Sequence, residues 1–271
     1  MAVLQSKDGP IWRKRTTQAD FSVWFCWLLG VAAVSACFYF ISDKTIWVFV
    51  LSAPQEAADL GSRMVPPDWA YSSQLWRPLW DTFNIATLGT ILAIVASIPV
   101  AFCAARNTTP SKVFVRPVAL FIIASSRSIN SLIWALLLVV IVGPGVFAGV
   151  LAIAFRSIGF CGKLLYEAIE EIDVSPVEAV TATGASSAQT LTYGVVPQVM
   201  PAFAGISVFR WDINIRESTI LGLVGAGGIG LQLSASINNL DWSRVAVILL
   251  AILVSVIVSE WLSAKIRNAL T

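Results

Sequence analysis

Two groups of polar residues interrupt segments that are otherwise apolar. The first covers residues 125–130 (SSRSIN) and the second covers residues 210–218 (RWDINIRES). An ionisable residue inside an apolar span is costly and by default marks a functional site. Hydroxyl and guanidinium groups are natural donors to oxyanions. The two groups therefore indicate a polar, net-basic route for a small oxyanion, with five candidate residues: Arg127, Asn130, Asn214, Arg216 and Ser218.

A second interpretation of Arg127 stays open at this stage. Its guanidinium would pair with Asp212 or Glu217 and tie two helices together, without contacting any solute. Charged groups within a span do pair with one another, so the sequence supports both interpretations.

The residue types needed for most enzymatic chemistry are missing from the sequence. It contains no His, which removes the usual catalytic base, and no Walker A motif. The four cysteines lie in or beside apolar runs without a CxxC spacing, and we interpret them as small apolar side chains rather than metal ligands. We therefore expect no catalytic residue, metal or cofactor in this chain, and any energy must come from a partner.

The segment 225–230 (GAGGIG) satisfies the GxGxxG pattern of dinucleotide sites. That site also needs a βαβ unit and an acidic residue about 20 positions further on. Asp241 is too near, and an apolar span follows. The segment instead predicts a helix break and a close-packed turn near the outer face of a membrane.

The composition is that of an integral membrane protein. Apolar residues make up 57% of the chain and charged residues 13%, and the mean hydropathy is +0.78. Soluble domains carry roughly 25% charged residues. Several of the eleven Trp flank apolar runs, as interfacial anchors do.

The pattern of apolar runs predicts an all-helical protein with six transmembrane helices. A span needs roughly 20 apolar residues, and the run that begins at residue 21 is too long for a signal peptide, so we expect it to stay uncleaved. The predicted spans are 21–42, 82–105, 117–142, 146–165, 195–214 and 242–262.

Lys and Arg are distributed unevenly between the predicted loops. With the N-terminus inside, the inner segments hold ten of them and the outer loops three or four. This asymmetry predicts that both termini face the cytoplasm. The expected organisation is a cytoplasmic tail (1–20), a first helix with an outer loop (21–81), and a five-helix core (82–271) with an inner loop at about 167–197.

That inner loop has its own pattern. Asp173 and Pro176 are typical of a helix start, and Glu178 follows in the first turn, where a carboxylate opposes the helix dipole. Gly184 leaves room for another backbone to approach. The local pattern predicts a short helix–turn–helix at a membrane edge that offers a docking surface. A plain amphipathic connector fits the same pattern.

The spacing of Glu178-Ala179-Val180, Gly184 and Val196-Pro197 resembles the EAA loop of permease subunits in binding-protein-dependent ABC importers. In that family the loop forms a coupling helix that docks on a cytoplasmic ATPase. The resemblance implies the type I importer permease fold, and coupling roles for Glu178, Ala179, Gly184 and Pro197. Val180, Gly194 and Val196 depart from the family pattern, and Gly194 bears on how the second helix packs.

Five further segments are similar to the phosphonate permease subfamily, which includes phosphite and hypophosphite permeases. They are residues 65–69 (VPPDW), 104–107 (AARN), 169–173 (IEEID), 210–216 (RWDINIR) and 222–230 (GLVGAGGIG). The likeness extends from about residue 64 to the C-terminus.

The resemblance implies a bacterial inner-membrane homodimer that forms the translocation path. Its partners would be a cytoplasmic ATPase dimer that binds ATP and Mg, and a periplasmic or lipid-anchored binding protein. A stand-alone channel or secondary transporter is the alternative, which internal inverted repeats would favour, and none is evident. A membrane enzyme is a weaker alternative, because no catalytic constellation is present.

Overall fold

The computed structural model describes residues 2–6, 9–13 and 17–270. Of the predicted cytoplasmic tail, Lys7, Lys14 and Arg15 lie outside the described residues. The main elements are β1 Ala2–Ser6, β2 Gly9–Arg13, α1 Thr17–Lys44, α2 Trp47–Met64, α3 Trp76–Ala104, α4 Val115–Ser128, α5 Ser131–Val142, α6 Val146–Glu170, α7 Val174–Ala182, α8 Ser187–Thr190, α9 Val196–Leu221, α10 Ile229–Asn238 and α11 Trp242–Leu270. Short 3-10 turns cover Trp69–Gln74 and Gly222–Val224, and a π turn covers Leu191–Val195.

The chain divides into two compact units, residues 1–61 and 62–271. The division falls earlier in the chain than residue 82, where the five-helix core was expected to begin. The first unit contains the antiparallel hairpin β1–β2, which the apolar pattern did not predict, and the long helix α1. The outer loop also holds more helix than expected, since α2 continues through Pro54.

Apart from the hairpin β1–β2, the structure confirms the all-helical architecture, with helices long enough to cross a membrane. Within the described residues, five helices are long and apolar enough to cross a membrane: α1, α3, α6, the continuous segment Ser187–Val224, and α11. Helices α4 and α5 together make a sixth candidate, but they are bent by 90° at their junction. The predicted third span is therefore a broken one.

The centre of the second unit is α6, whose buried face is rich in small residues. Gly89 of α3 faces Ile153, and a Cβ at Gly89 would lie 2.7 Å from the Ile153 side chain. Small residues let helix backbones approach closely, which is how spans pack in a membrane. This packing positions α6 between α3, α4, α5 and α9.

The Gly-rich segment between α9 and α10 is a tight helix break, as the sequence predicted. A Cβ at Gly230 would lie 2.0 Å from the carbonyl oxygen of Thr219, so only glycine fits there. The backbone N–H of Ile229 then donates to the Thr82 hydroxyl at 2.7 Å, which fixes the start of α10 against α3.

Candidate functional site

Three charged side chains meet between α6 and α9, and we call them the charged cluster: Arg156, Arg210 and Glu217. Arg210 Nη2 lies 3.4 Å from Glu217 Oε2, and Arg156 Nε lies 3.4 Å from Glu217 Oε1. One carboxylate therefore bridges two arginines. The Arg210 side chain is 2% exposed and that of Arg156 is 31% exposed.

Asn214 lies behind the charged cluster in the protein core. It is fully buried, and its amide nitrogen donates to the Thr90 hydroxyl at 2.7 Å and to the Ser157 hydroxyl at 3.2 Å. The Ser157 hydroxyl also accepts a hydrogen bond from Arg210 Nε at 2.9 Å. Asn214 thus joins α3, α6 and α9, and fixes the position of Arg210 through Ser157.

Ser218 is buried too. Its hydroxyl donates to the carbonyl of Ile215 one turn earlier, at 2.8 Å. In the described chain Ser218 and Asn214 therefore satisfy their polar groups inside the protein, and neither lines the cleft described below.

Arg216 connects α9 to α11 on another face of α9. It pairs with Asp212 on its own helix and with Glu260 Oε1 at 2.9 Å. Asp212 also accepts a hydrogen bond from the Ser259 hydroxyl at 2.9 Å. The Arg216 side chain pairs with two carboxylates and is still 43% exposed.

A cleft of about 390 Å³ opens beside the charged cluster, and we call it the polar cleft. It lies where the third span breaks, and Asn130 caps α5 there by accepting a hydrogen bond from the Leu132 N–H at 3.1 Å. The lining residues are Asn130, Ser131, Leu132, Ile133, Arg156, Glu217, Ile220 and Leu221. The cleft therefore brings together Asn130, from the polar segment 125–130, and Glu217, from the polar segment 210–218.

Arg127 lies near the end of α4 with its side chain exposed. Its Cγ packs against Gly159 of α6, where an added Cβ would come within 2.8 Å. Asp212 and Glu217 are engaged by other arginines, and neither pairs with Arg127 in the described chain. The ion pairs that tie helices together are instead Arg156–Glu217, between α6 and α9, and Arg216–Glu260, between α9 and α11.

The loop after α6 has the helix–turn–helix geometry that its sequence predicts, but Glu178 lies in the second turn of α7 and not in the first, because α7 already begins at Val174. Asp173 caps α7 and accepts hydrogen bonds at 3.0 Å from the N–H and from the hydroxyl of Ser175. These bonds hold the pKa of Asp173 below its usual value of 3.8. Gln198 donates to the Asp173 carbonyl at 3.2 Å, so the start of α9 braces the start of α7.

The turn after α7 is closed by Gly184, whose φ of +80° is the left-handed conformation that favours glycine. An added Cβ would meet open space there. The next helix starts with a capping box between Ser186 and Gln189. Gly194 is buried against Val177 of α7, and an added Cβ would lie 3.2 Å from the Val177 Cα. The glycine at position 194, where the sequence departs from the family pattern, therefore allows the segment after α8 to pack against α7.

We call Glu178, Ala179, Gly184 and Pro197 the coupling surface. All four are exposed in this chain. Glu178 forms neither a hydrogen bond nor an ion pair with the described residues, so the fold of the described chain does not depend on its carboxylate. An exposed, unengaged surface is what a docking site requires, and equally what a plain connector would show.

Sequence reasoning missed Arg156 and Ser157 as site residues. The available signal was Arg156 itself, an ionisable residue inside an apolar span. Glu217 was considered only as a partner of Arg127. The contacts of Arg156 and Ser157 with α9 join residues that are 53 to 61 positions apart in the chain. Sequence spacing alone does not reveal such contacts.

Comparison with known proteins identifies the family. Residues 97–270 match the family described as "binding-protein-dependent transport system inner membrane component". The chain is 40% identical over 241 residues to the phosphite transport system permease protein PtxC of Stutzerimonas stutzeri, covering 89% of this chain and 86% of that protein. It is 43% identical over 208 residues to the phosphate-import permease protein PhnE of Mycolicibacterium smegmatis, covering 77% of this chain and 39% of that longer protein.

Solved structures support the same assignment at the level of the fold. A chain of the inward-facing MetNI methionine ABC transporter superposes with a TM-score of 0.65 at 20% identity, covering 75% of this chain and 99% of that one. A bacterial ABC transporter for alginate matches with a TM-score of 0.58 over 92% of this chain. The chain has the type I importer permease fold and belongs to the family of inner membrane components of binding-protein-dependent transport systems.

Proposed function

We propose that this chain is the permease subunit of an ATP-driven importer for phosphonate or a related small phosphorus oxyanion such as phosphite or hypophosphite. The observation that carries the proposal is the 40% identity to a phosphite permease along 89% of the chain. The site is chemically suited to this role, because arginines and amides between spans are natural donors to an oxyanion.

The charges around α9 and the break of the third span favour an anion. Four arginines (Arg127, Arg156, Arg210 and Arg216) stand against three carboxylates (Asp212, Glu217 and Glu260), which leaves one net positive charge. Of the residues predicted for the path, Arg127, Asn130 and Arg216 would line it, because their side chains are exposed. Asn214 and Ser218 would hold α9 in place from the protein interior.

The partners follow from the family. The coupling surface would dock on a cytoplasmic ATPase dimer that binds ATP and Mg, since we expect no ATPase site in this chain. A periplasmic or lipid-anchored binding protein would deliver the anion, and a second copy of this chain would complete the path. The assembly would lie in the bacterial inner membrane with both termini in the cytoplasm, as the distribution of Lys and Arg predicts.

In this proposal the coupling surface transmits the ATPase cycle to the spans. Binding of ATP would close the ATPase dimer, bring the two coupling surfaces together and open the path outward. Hydrolysis would return the path to the inward-open state. Helix α7 is suited to such a role because it is short, capped at both ends and braced by Gln198 on α9.

The test is uptake by liposomes that contain the chain purified with its native ATPase. Labelled phosphite, hypophosphite and methylphosphonate are supplied outside with the binding protein, and ATP is enclosed. We expect accumulation that requires both ATP and the binding protein. Uptake that continues without either would contradict the proposal and favour a stand-alone channel or secondary transporter.

A further inference from the structure

The two arginines of the charged cluster differ in burial, and the charges of its three side chains do not cancel. Glu217 bears one negative charge between two arginines, so the cluster retains one positive charge. The Arg210 side chain is 2% exposed, whereas that of Arg156 is 31% exposed and lines the polar cleft. The surplus positive charge is therefore presented to the cleft by Arg156.

The two arginines also differ in how fully their N–H groups are used. Arg210 donates to Ser157 at 2.9 Å and to Glu217 at 3.4 Å, and its guanidinium lies 5.0 Å from the centre of the Phe160 ring. The Arg156 guanidinium makes no hydrogen bond to any residue that the structure describes. Its polar contact with the described residues is the ion pair between Arg156 Nε and Glu217 Oε1, at 3.4 Å. Arg156 thus keeps most of its five donors for another acceptor.

The polar cleft has the size and lining that such an acceptor would need. Its volume of about 390 Å³ falls in the range of roughly 300–1,000 Å³ that is usual for small-molecule sites. Asn130 and Ser131, at the break of the third span, line the same cleft as Arg156, and Ile133 and Ile220 provide apolar walls. Small-molecule sites commonly combine such walls with a few polar groups.

We propose that Arg156 is the residue of this permease that contacts the transported oxyanion, and that the Glu217 carboxylate competes with the anion for the Arg156 guanidinium. The anion would take the donors of Arg156 in a bidentate pair. Glu217 would stay paired with Arg210, which Ser157 fixes in the core. The return of Glu217 to Arg156 would then release the anion. This inference rests on the proposed function and identifies the residue that binds the anion transiently during transport.

Chemical labelling measures this contact directly. The complex of permease and ATPase is treated with phenylglyoxal, which modifies arginine, and modification of each arginine is quantified by mass spectrometry with and without phosphite. We expect phosphite to slow modification of Arg156 at least threefold and to leave Arg116 unchanged. In E217Q the same protection is expected at a several-fold lower phosphite concentration, because the competing carboxylate is neutral.

Arg116 is a matched control, because it forms a similar ion pair outside the cleft. It lies 3.6 Å from Glu170, with exposures of 23% and 25%. In liposomes we expect R156Q to lower ATP-dependent phosphite uptake at least tenfold with the ATPase still bound. R156K should recover part of the uptake, since lysine keeps the charge but loses the bidentate geometry. R116Q should stay within twofold of the wild type.

The outcomes separate the two proposals. A wild-type complex that imports phosphite, with unprotected Arg156 and normal uptake by R156Q, would overturn the role of Arg156 and leave the proposed function intact. A wild-type complex that imports no phosphorus oxyanion would overturn the proposed function. Loss of uptake in R156Q without protection of Arg156 would show a role in packing only, and would also overturn this inference.

Discussion

Arg210 and Glu217 lie two turns apart on α9, and an ion pair of 3.4 Å joins their side chains in the interior of the protein. Arg210 is among the largest fully buried side chains of the described chain. A buried pair of this kind adds little net stability compared with an apolar pair, but removal of one partner leaves an uncompensated charge.

We therefore expect E217Q to lower the free energy of unfolding by about 3 kcal/mol, because it leaves the buried Arg210 guanidinium without a counter-charge. The double variant R210M/E217Q should recover at least half of that loss, since it removes the buried charge and leaves only Arg156, whose side chain is 31% exposed. Denaturant unfolding in detergent measures both. Equal stability of the single and double variants would show that the unpaired Arg210 charge is not what destabilises E217Q. R244Q, which breaks solvent-accessible pairs with Asp68 and Asp241, should cost less than about 1 kcal/mol.

Glu178 is exposed and forms no contact that the fold requires within the described residues. E178A should therefore leave the unfolding transition unchanged, within about 0.5 kcal/mol. The same variant should lose most of its bound ATPase in a pull-down from detergent. E171A, which removes another exposed carboxylate seven residues earlier, serves as the control and should retain the ATPase. Equal retention by both variants would contradict a docking role for Glu178.

Gly184 has φ at +80° and open space where a side chain would be. Both G184A and G184W should therefore carry the same backbone strain, about 1–2 kcal/mol. They differ in bulk on the coupling surface, so G184A should keep the ATPase bound whereas G184W should release it. ATPase co-purification and the uptake per ATP hydrolysed distinguish them. A G184W variant with normal coupling would show that no partner approaches this position.

Asp173 stabilises the start of α7 through its charged form, because its pKa is held down by hydrogen bonds from Ser175. The stabilisation is present above the unfolded pKa and is lost as the pH falls through the lowered folded pKa, that is, below 3.8. Amide exchange of residues 174–182, corrected for the intrinsic rate, should therefore rise below that pH.

In D173N the amide oxygen can still cap the helix, so the exchange should lose this pH dependence while α7 remains formed. D173A should raise the exchange at every pH. If the wild type shows the same corrected exchange above and below this range, the carboxylate does not hold the helix start.

The sequence allowed prediction of the features that depend on local pattern. Apolar length predicted the spans, and Asp173 predicted where α7 begins. The break of the third span was also present in the sequence, because Asn130 before an apolar run is a helix-cap signal. The prediction nevertheless treated residues 117–142 as one span, with Arg127 and Asn130 inside it.

The contacts of the charged side chains could not be predicted in this way. Arg156 and Glu217 are 61 positions apart, and their meeting depends on how α6 and α9 pack against each other. The placement of Asn214 in the core has the same cause, since the amide finds hydroxyl partners on α3 and α6. The residue types showed that polar groups must meet between spans, but the packing decided which ones do.

The most direct test of the central claim is ATP-dependent uptake of labelled phosphite by liposomes that contain this chain with its native ATPase and binding protein. We predict accumulation that stops when ATP, the ATPase or the binding protein is left out. Equal uptake by liposomes that contain this chain alone, without ATP, would contradict the claim that it is the permease of an ATP-driven importer.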